Sequence, residues 1–129
     1  MTYPAAAKSF SHDQLASVIA AVGLPALAKR LDEEAHWNNM LSVGEQQCLS
    51  IARALLQKPD YLFLDEATSA LDEPTEAKVY RLLLQELVRS TIVSIGHRST
   101  LKAFHDRRFV FVHDGDCHRL VEETLSAVT

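Results

Sequence analysis

Two short strand-like segments, the apolar run Tyr61-Leu62-Phe63-Leu64 and Thr91 to Ile95, lie on either side of a segment patterned as a helix. That order constrains the chain more than any other feature. The helix is expected from about Pro74 to Val88, with Tyr80, Leu83, Leu84 and Leu87 at helical spacing. Strand, helix and strand in succession make a right-handed crossover unit whose strands pair in parallel. Tyr61 to Leu64 is apolar throughout, which predicts a strand buried on both faces, and Thr91 to Ile95 reads as a second buried strand. The fold class is α/β.

The flanking segments add helices before this unit and a hairpin after it. A first helix is expected to start at Ser11 or Asp13, with Leu15, Val18, Ile19 and Val22 on one stripe, and to stop near Gly23. A short second helix is expected from Pro25 to about Leu31, since proline is comfortable in a first turn. A polar stretch from Asp32 to Asn39 follows, broken by Trp37. Ser42 and Glu45 have the spacing of a capping box. The helix they open puts Cys48, Ile51, Ala52 and Leu55 on one face and must end by Lys58, because Pro59 biases its predecessor away from helix. The tail reads as a hairpin: Phe109 to Val112, a turn at Asp114-Gly115, and Cys117 to Val121.

Composition narrows the function classes. A net charge of −4 argues against non-specific binding to nucleic acid or an anionic membrane. Arg98, Arg107 and Arg108 are too few to track a phosphate backbone. No apolar run approaches the roughly 20 residues of a membrane span, and the first residues lack the charged-then-apolar pattern of a secretory signal. Cys48 and Cys117 read as free thiols in a reducing compartment. His113, Cys117 and His118, with Asp114 and Asp116, could be drawn as a metal site, but a polar hairpin turn accounts for them better.

Three places carry chemistry. The first apolar strand ends in Asp65-Glu66, at the strand end where open parallel sheets bind ligands. There an aspartate can hold Mg²⁺, and a neighbouring acid can take a proton from water. The second strand ends in Gly96-His97, and a neutral imidazole can donate a hydrogen bond to a phosphate. The capped helix start at Ser42 offers amides and a partial positive charge to an anion, with Gly44 permitting close approach. Taken singly, each has an ordinary structural explanation: surface acids, a strand-end histidine, a well-capped helix.

Order and spacing tie the three together. Leu41-Ser42-Val43-Gly44-Glu45-Gln46-Gln47 resembles the signature motif of ABC-type ATPases. Tyr61 to Glu66 looks like their Walker B strand, Ala67-Thr68-Ser69-Ala70-Leu71-Asp72 is similar to their D-loop, and His97 takes the switch-histidine place. The resemblance runs from about Tyr3-Pro4 to the end of the second strand, and more loosely beyond. Trp37, Gly44-Glu45-Gln46-Gln47, Ser94 to Ser99 and Phe104-His105 look like the branch with fused membrane and ATPase halves. That branch includes bacterial peptide- and cobalamin-type transporters and peroxisomal fatty-acyl transporters.

The resemblance implies a partial P-loop NTPase fold, with residues 1–58 as helical subdomain and signature helix, and residues 59–129 as Walker B, D-loop, switch histidine and hairpin. It implies ATP and Mg²⁺ as ligands of a complete, dimeric domain. Ser42, Val43, Gly44 and Glu45 would contact the nucleotide of a second, head-to-tail ATPase domain, with Ser69 and Asp72 signalling across the dimer. Asp65 would hold Mg²⁺, Glu66 would be the base, and His97 would contact the γ-phosphate. A transmembrane domain would be the other partner, placing the chain at the cytoplasmic face of a membrane. None of Gly23, Gly44, Gly96 and Gly115 is followed by lysine, so these residues contain no P-loop. The expectation is a C-terminal portion of the domain, inactive alone, with the P-loop and Q-loop upstream of Met1. The alternatives are a module completing a partner's site through its signature, and a non-catalytic remnant. A chromosome-maintenance or repair ATPase would normally add a long coiled coil, and no heptad run exists here. Cys48 departs from the family's usual arginine.

Overall fold

The computed structural model describes residues 11–24 and 41–125; the helix expected from Pro25 to Leu31, the polar stretch with Trp37, and Tyr3-Pro4 lie outside the described residues. The described residues form two compact units that part after Gly96.

In the first unit, α1 (His12–Ala21) opens with a full capping box: Ser11 Oγ accepts from the Gln14 N–H at 3.1 Å, and Gln14 Oε1 accepts from the Ser11 N–H at 2.9 Å. It closes at Gly23, whose φ of +93° lets Gly23 and Leu24 donate back to Ala20 and Ile19. The second helix, α2 (Val43–Gln57), starts at the predicted Ser42 cap and buries the predicted Cys48, Ile51, Ala52 and Leu55. Lys58 ends it in left-handed backbone, one residue before Pro59. α1 packs on α2, and α2 on α3 (Glu73–Glu86). Ile19, Ile51, Val79, Tyr80 and Leu83 form the centre of this core.

The strands β1 (Tyr61–Asp65) and β2 (Thr91–Ile95) pair in parallel, in register from Tyr61 with Thr91 to Asp65 with Ile95. They are not buried on both faces. Leu64 is buried, but Tyr61 and Phe63 are 67% and 68% exposed, and Val93 and Ile95 are exposed with them. Successive strand side chains point to opposite faces, and the helices cover one face of this two-stranded sheet. Tyr80 marks the covered face: its hydroxyl lies 2.8 Å from Ser94 Oγ. Burial pushes the Tyr80 phenol up, with the Ser94 hydrogen bond opposing. One apolar position of α3 is also corrected. Leu84 is exposed, because it stands about 100° round the helix from Leu83, and Val79 takes its place in the core.

In the second unit, a 3₁₀ helix (Ser99–Phe104) precedes the hairpin of β3 (Arg108–Asp114) and β4 (Cys117–Glu123). Asp114 pairs with Cys117, so the two-residue loop is Gly115-Asp116, one position later than expected. Gly115 has φ of +63°, as the first loop position of a type II′ turn requires. At the open end Arg107 donates twice to the Glu122 carboxylate, at 2.8 and 3.1 Å, and this bond holds the Glu122 carboxyl below its usual range. Among the described residues no helix is long and apolar enough to cross a membrane.

The two adjacent leucines of α3 give a direct check of this packing. Leu83→Ala should destabilise the protein by about 2–5 kcal/mol, whereas Leu84→Ala should stay within about 0.5 kcal/mol. Denaturant midpoints of the two variants measure the contrast.

Candidate functional site

The parallel ladder ends at Asp65, but the backbone pairing continues one bond further: the Glu66 N–H donates to the Ile95 carbonyl at 2.9 Å. Glu66 then turns the chain with a φ of +51°. A residue with a side chain pays about 1–3 kcal/mol for that conformation and keeps it only where its surroundings over-determine it. Here the Glu66 carbonyl accepts from the Ser69 N–H and from Gln47 Nε2, both at 3.2 Å. Both Asp65 and Glu66 are exposed, at the C-terminal end of the sheet where a ligand would lie.

The start of α2 is built by a reciprocal cap. Ser42 Oγ accepts from the Glu45 N–H at 3.2 Å, and Glu45 Oε1 accepts from the Ser42 N–H at 3.1 Å. Ser42 and Val43 are exposed; Gly44 and Glu45 are half-buried. A Cβ added at Gly44 would stand 3.4 Å from the Ala70 carbonyl oxygen and from Leu71 Cδ2, which is ordinary contact. Packing within the chain therefore does not demand glycine at this position.

Sequence reasoning missed the link between these two places. From the second turn of α2, Gln47 Nε2 donates to the Glu66 carbonyl at 3.2 Å and to Ser69 Oγ at 3.1 Å, while Gln47 Oε1 accepts from the Ala70 N–H at 3.0 Å. One carboxamide thus spans the loop from Glu66 to Ala70. The residue stood in the quoted signature segment, but its partners are 19 to 23 positions away. The same loop is tied from below by Thr68, whose buried hydroxyl donates to Glu76 Oε2 at 2.8 Å. Ser69 is exposed, and Asp72 is the N-cap of α3 without a side-chain cap bond, its carboxylate turned to solvent.

The first unit therefore brings together the start of α2, the two strand-end acids and the 66–72 loop. His97 opens the second unit directly after Gly96 and is exposed. Among the described residues no three histidine, cysteine or acidic side chains gather as a metal cage. Asp65 is a single exposed carboxylate, and Mg²⁺ usually takes one or two carboxylates and completes its shell with water and phosphate. His113 and His118 face each other across the hairpin, ring centroids 5.0 Å apart and edge-on.

Cys48 is buried on the core face of α2. Burial pushes its thiol up, and the Glu45 charge adds to this. Cys117 is exposed. Alkylation of the native protein at mildly alkaline pH should modify Cys117 and spare Cys48 until the chain is unfolded; mass mapping of the modified peptides reads this, and rapid native labelling of Cys48 would contradict the packing of α2.

Residues 6–69 match the family model described as ABC transporter. The chain is 45% identical over 115 residues to an uncharacterized ABC transporter ATP-binding protein of Haemophilus influenzae, covering 89% of this chain and 19% of that one. It is 44% identical over 98 residues to ABC transporter D family member 2, chloroplastic, of Arabidopsis thaliana, covering 74% and 14%. It is 40% identical over 102 residues to the lysosomal cobalamin transporter ABCD4 of Mus musculus, covering 75% and 16%. The chain thus spans less than a fifth of the length of these curated relatives.

Proposed function

Because this chain belongs to the ABC transporter family, among ATP-binding proteins, we propose that its residues furnish parts of two ATP sites in a transporter ATPase. Two domains pair head to tail, and the start of α2 in each covers the nucleotide held by the P-loop of the other. Ser42, Val43, Gly44 and Glu45 meet the γ-phosphate, where helix-start amides and the dipole favour negative charge. We assign the sequence up to about residue 58 to the helical subdomain and signature helix, and the sequence from about residue 59 to Walker B, the D-loop, His97 and the hairpin.

At the chain's own site, Asp65 holds Mg²⁺, which neutralises charge on the phosphate oxygens when bound. Glu66 orients the attacking water and takes its proton. The water oxygen bonds to the γ-phosphorus as the bond to the bridging oxygen breaks, and ADP departs with the electron pair. His97 donates a hydrogen bond to the γ-phosphate, and Ser69 and Asp72 carry contact to the second domain. Hydrolysis drives transport through a transmembrane partner, with the ATPase at the cytoplasmic face. The observation that carries this reading is the pair of exposed acids ending a parallel strand, with Glu66 held in left-handed backbone beside α2.

A second reading rests on the four glycines, none followed by lysine. By themselves these 129 residues would serve in trans, completing a partner's site through Ser42 to Glu45. Turnover assays separate the claims. In a complete domain carrying this sequence, Glu66→Gln should lower turnover by about 10²–10⁴-fold and leave ATP bound. The 129 residues alone should show none. Parental turnover in Glu66→Gln would remove Glu66 as the base. Turnover by the 129-residue chain that needs Glu66 would show that no P-loop from elsewhere is required.

A further inference from the structure

We propose that Gln47 is a positioning residue for hydrolysis, holding Glu66 and the loop after it at the aim the reaction needs; this rests on the role given to Glu66 above. Its carboxamide uses both ends at once. The two Nε2 protons go to the Glu66 carbonyl and Ser69 Oγ, and Oε1 receives the Ala70 N–H. The partners fix which end is which, since a carbonyl can only accept and a backbone amide can only donate. No other side chain of this length offers two donors and an acceptor in one plane.

The need for such a clamp follows from the backbone. Glu66 sits at φ +51°, a conformation that survives only where it is held from several sides. Its N–H is held by Ile95 and its carbonyl by Ser69 and Gln47. Two of these bonds belong to the sheet and to the turn itself. The bond from Gln47 is supplied by a different element, α2, and it ties the base to the helix whose start we assign to a partner's nucleotide. A displacement of about 1 Å at a reacting group can cost 10²-fold in rate, so loosening this clamp should act on the chemical step.

The test compares Gln47→Met and Gln47→Glu with Glu66→Gln in a complete ATPase domain carrying this sequence. Methionine keeps the length and removes all three bonds; glutamate keeps the acceptor and removes both donors. Both should lower kcat by about 10–100-fold, with KM for ATP within about twofold and a fall in Tm too small to account for the loss of kcat. Amide hydrogen exchange at Ala70 should rise in Gln47→Met and stay slow in Gln47→Glu. If Glu66→Gln abolishes turnover while both Gln47 variants keep the parental kcat, the proposal is overturned and the role of Glu66 stands. If kcat falls only in step with Tm, Gln47 is structural and the proposal is likewise overturned. If Glu66→Gln itself leaves turnover unchanged, the underlying role of Glu66 fails, and an Ala70 exchange rate unchanged in Gln47→Met would separately show that the clamp does not hold the loop.

Discussion

The register of β1 against β2 is the constraint on which the candidate site depends. Pairing Tyr61 with Thr91 and Asp65 with Ile95 brings both strands to their C-terminal ends at the same level. One more bond, from the Glu66 N–H to the Ile95 carbonyl, follows the last pair, and the chain turns at Glu66. A slip of one residue would reverse every side chain of β1, sending Leu64 to the open face and Phe63 into the core. The burial of Leu64 and the Tyr80–Ser94 contact oppose that slip. Packing under the sheet thus decides where the two carboxylates stand.

Above the sheet, polar contacts carry the specificity that apolar packing cannot. Ser42 and Glu45 satisfy each other at the start of α2, so this end is built by the chain's own atoms. Gln47 reaches from the next turn into the loop after β1, and Thr68 anchors the same loop to Glu76 from the buried side. The Thr68–Glu76 bond is buried, where a lost partner is expensive, while the Gln47 bonds hold the loop from its exposed side. The loop is therefore clamped between two helices while its acidic side chains stay in solvent.

Much of this was legible from residue order. The cap at Ser42, the buried face of α2, its end before Pro59, the parallel pair and the hairpin all follow from local rules of spacing and turn chemistry. What was not legible depends on neighbours. Apolar runs such as Tyr61 to Leu64 do not say whether one face or both will be covered, and here Phe63 lies open. Leu83 and Leu84 are the same residue type, and only the rotation of α3 against the sheet distinguishes core from surface. The left-handed Glu66 and the reach of Gln47 are set by contacts across 19 or more residues, beyond any local pattern. The acids and the signature-like segment were found by their order along the chain. The clamp that joins them was visible only in three dimensions.

The central claim is that the start of α2 covers a nucleotide held by a second domain. An ATP analogue carrying a photoreactive group on its γ-phosphate tests it most directly. It would be bound to a complete domain whose own Ser42 region is altered, then paired with a copy carrying this sequence unaltered. The account predicts a covalent adduct within Ser42 to Glu45 of the unaltered copy, dependent on Mg²⁺ and lost when excess ATP competes. Adducts confined to the open face at Tyr61 and Phe63, or to the hairpin, would contradict it.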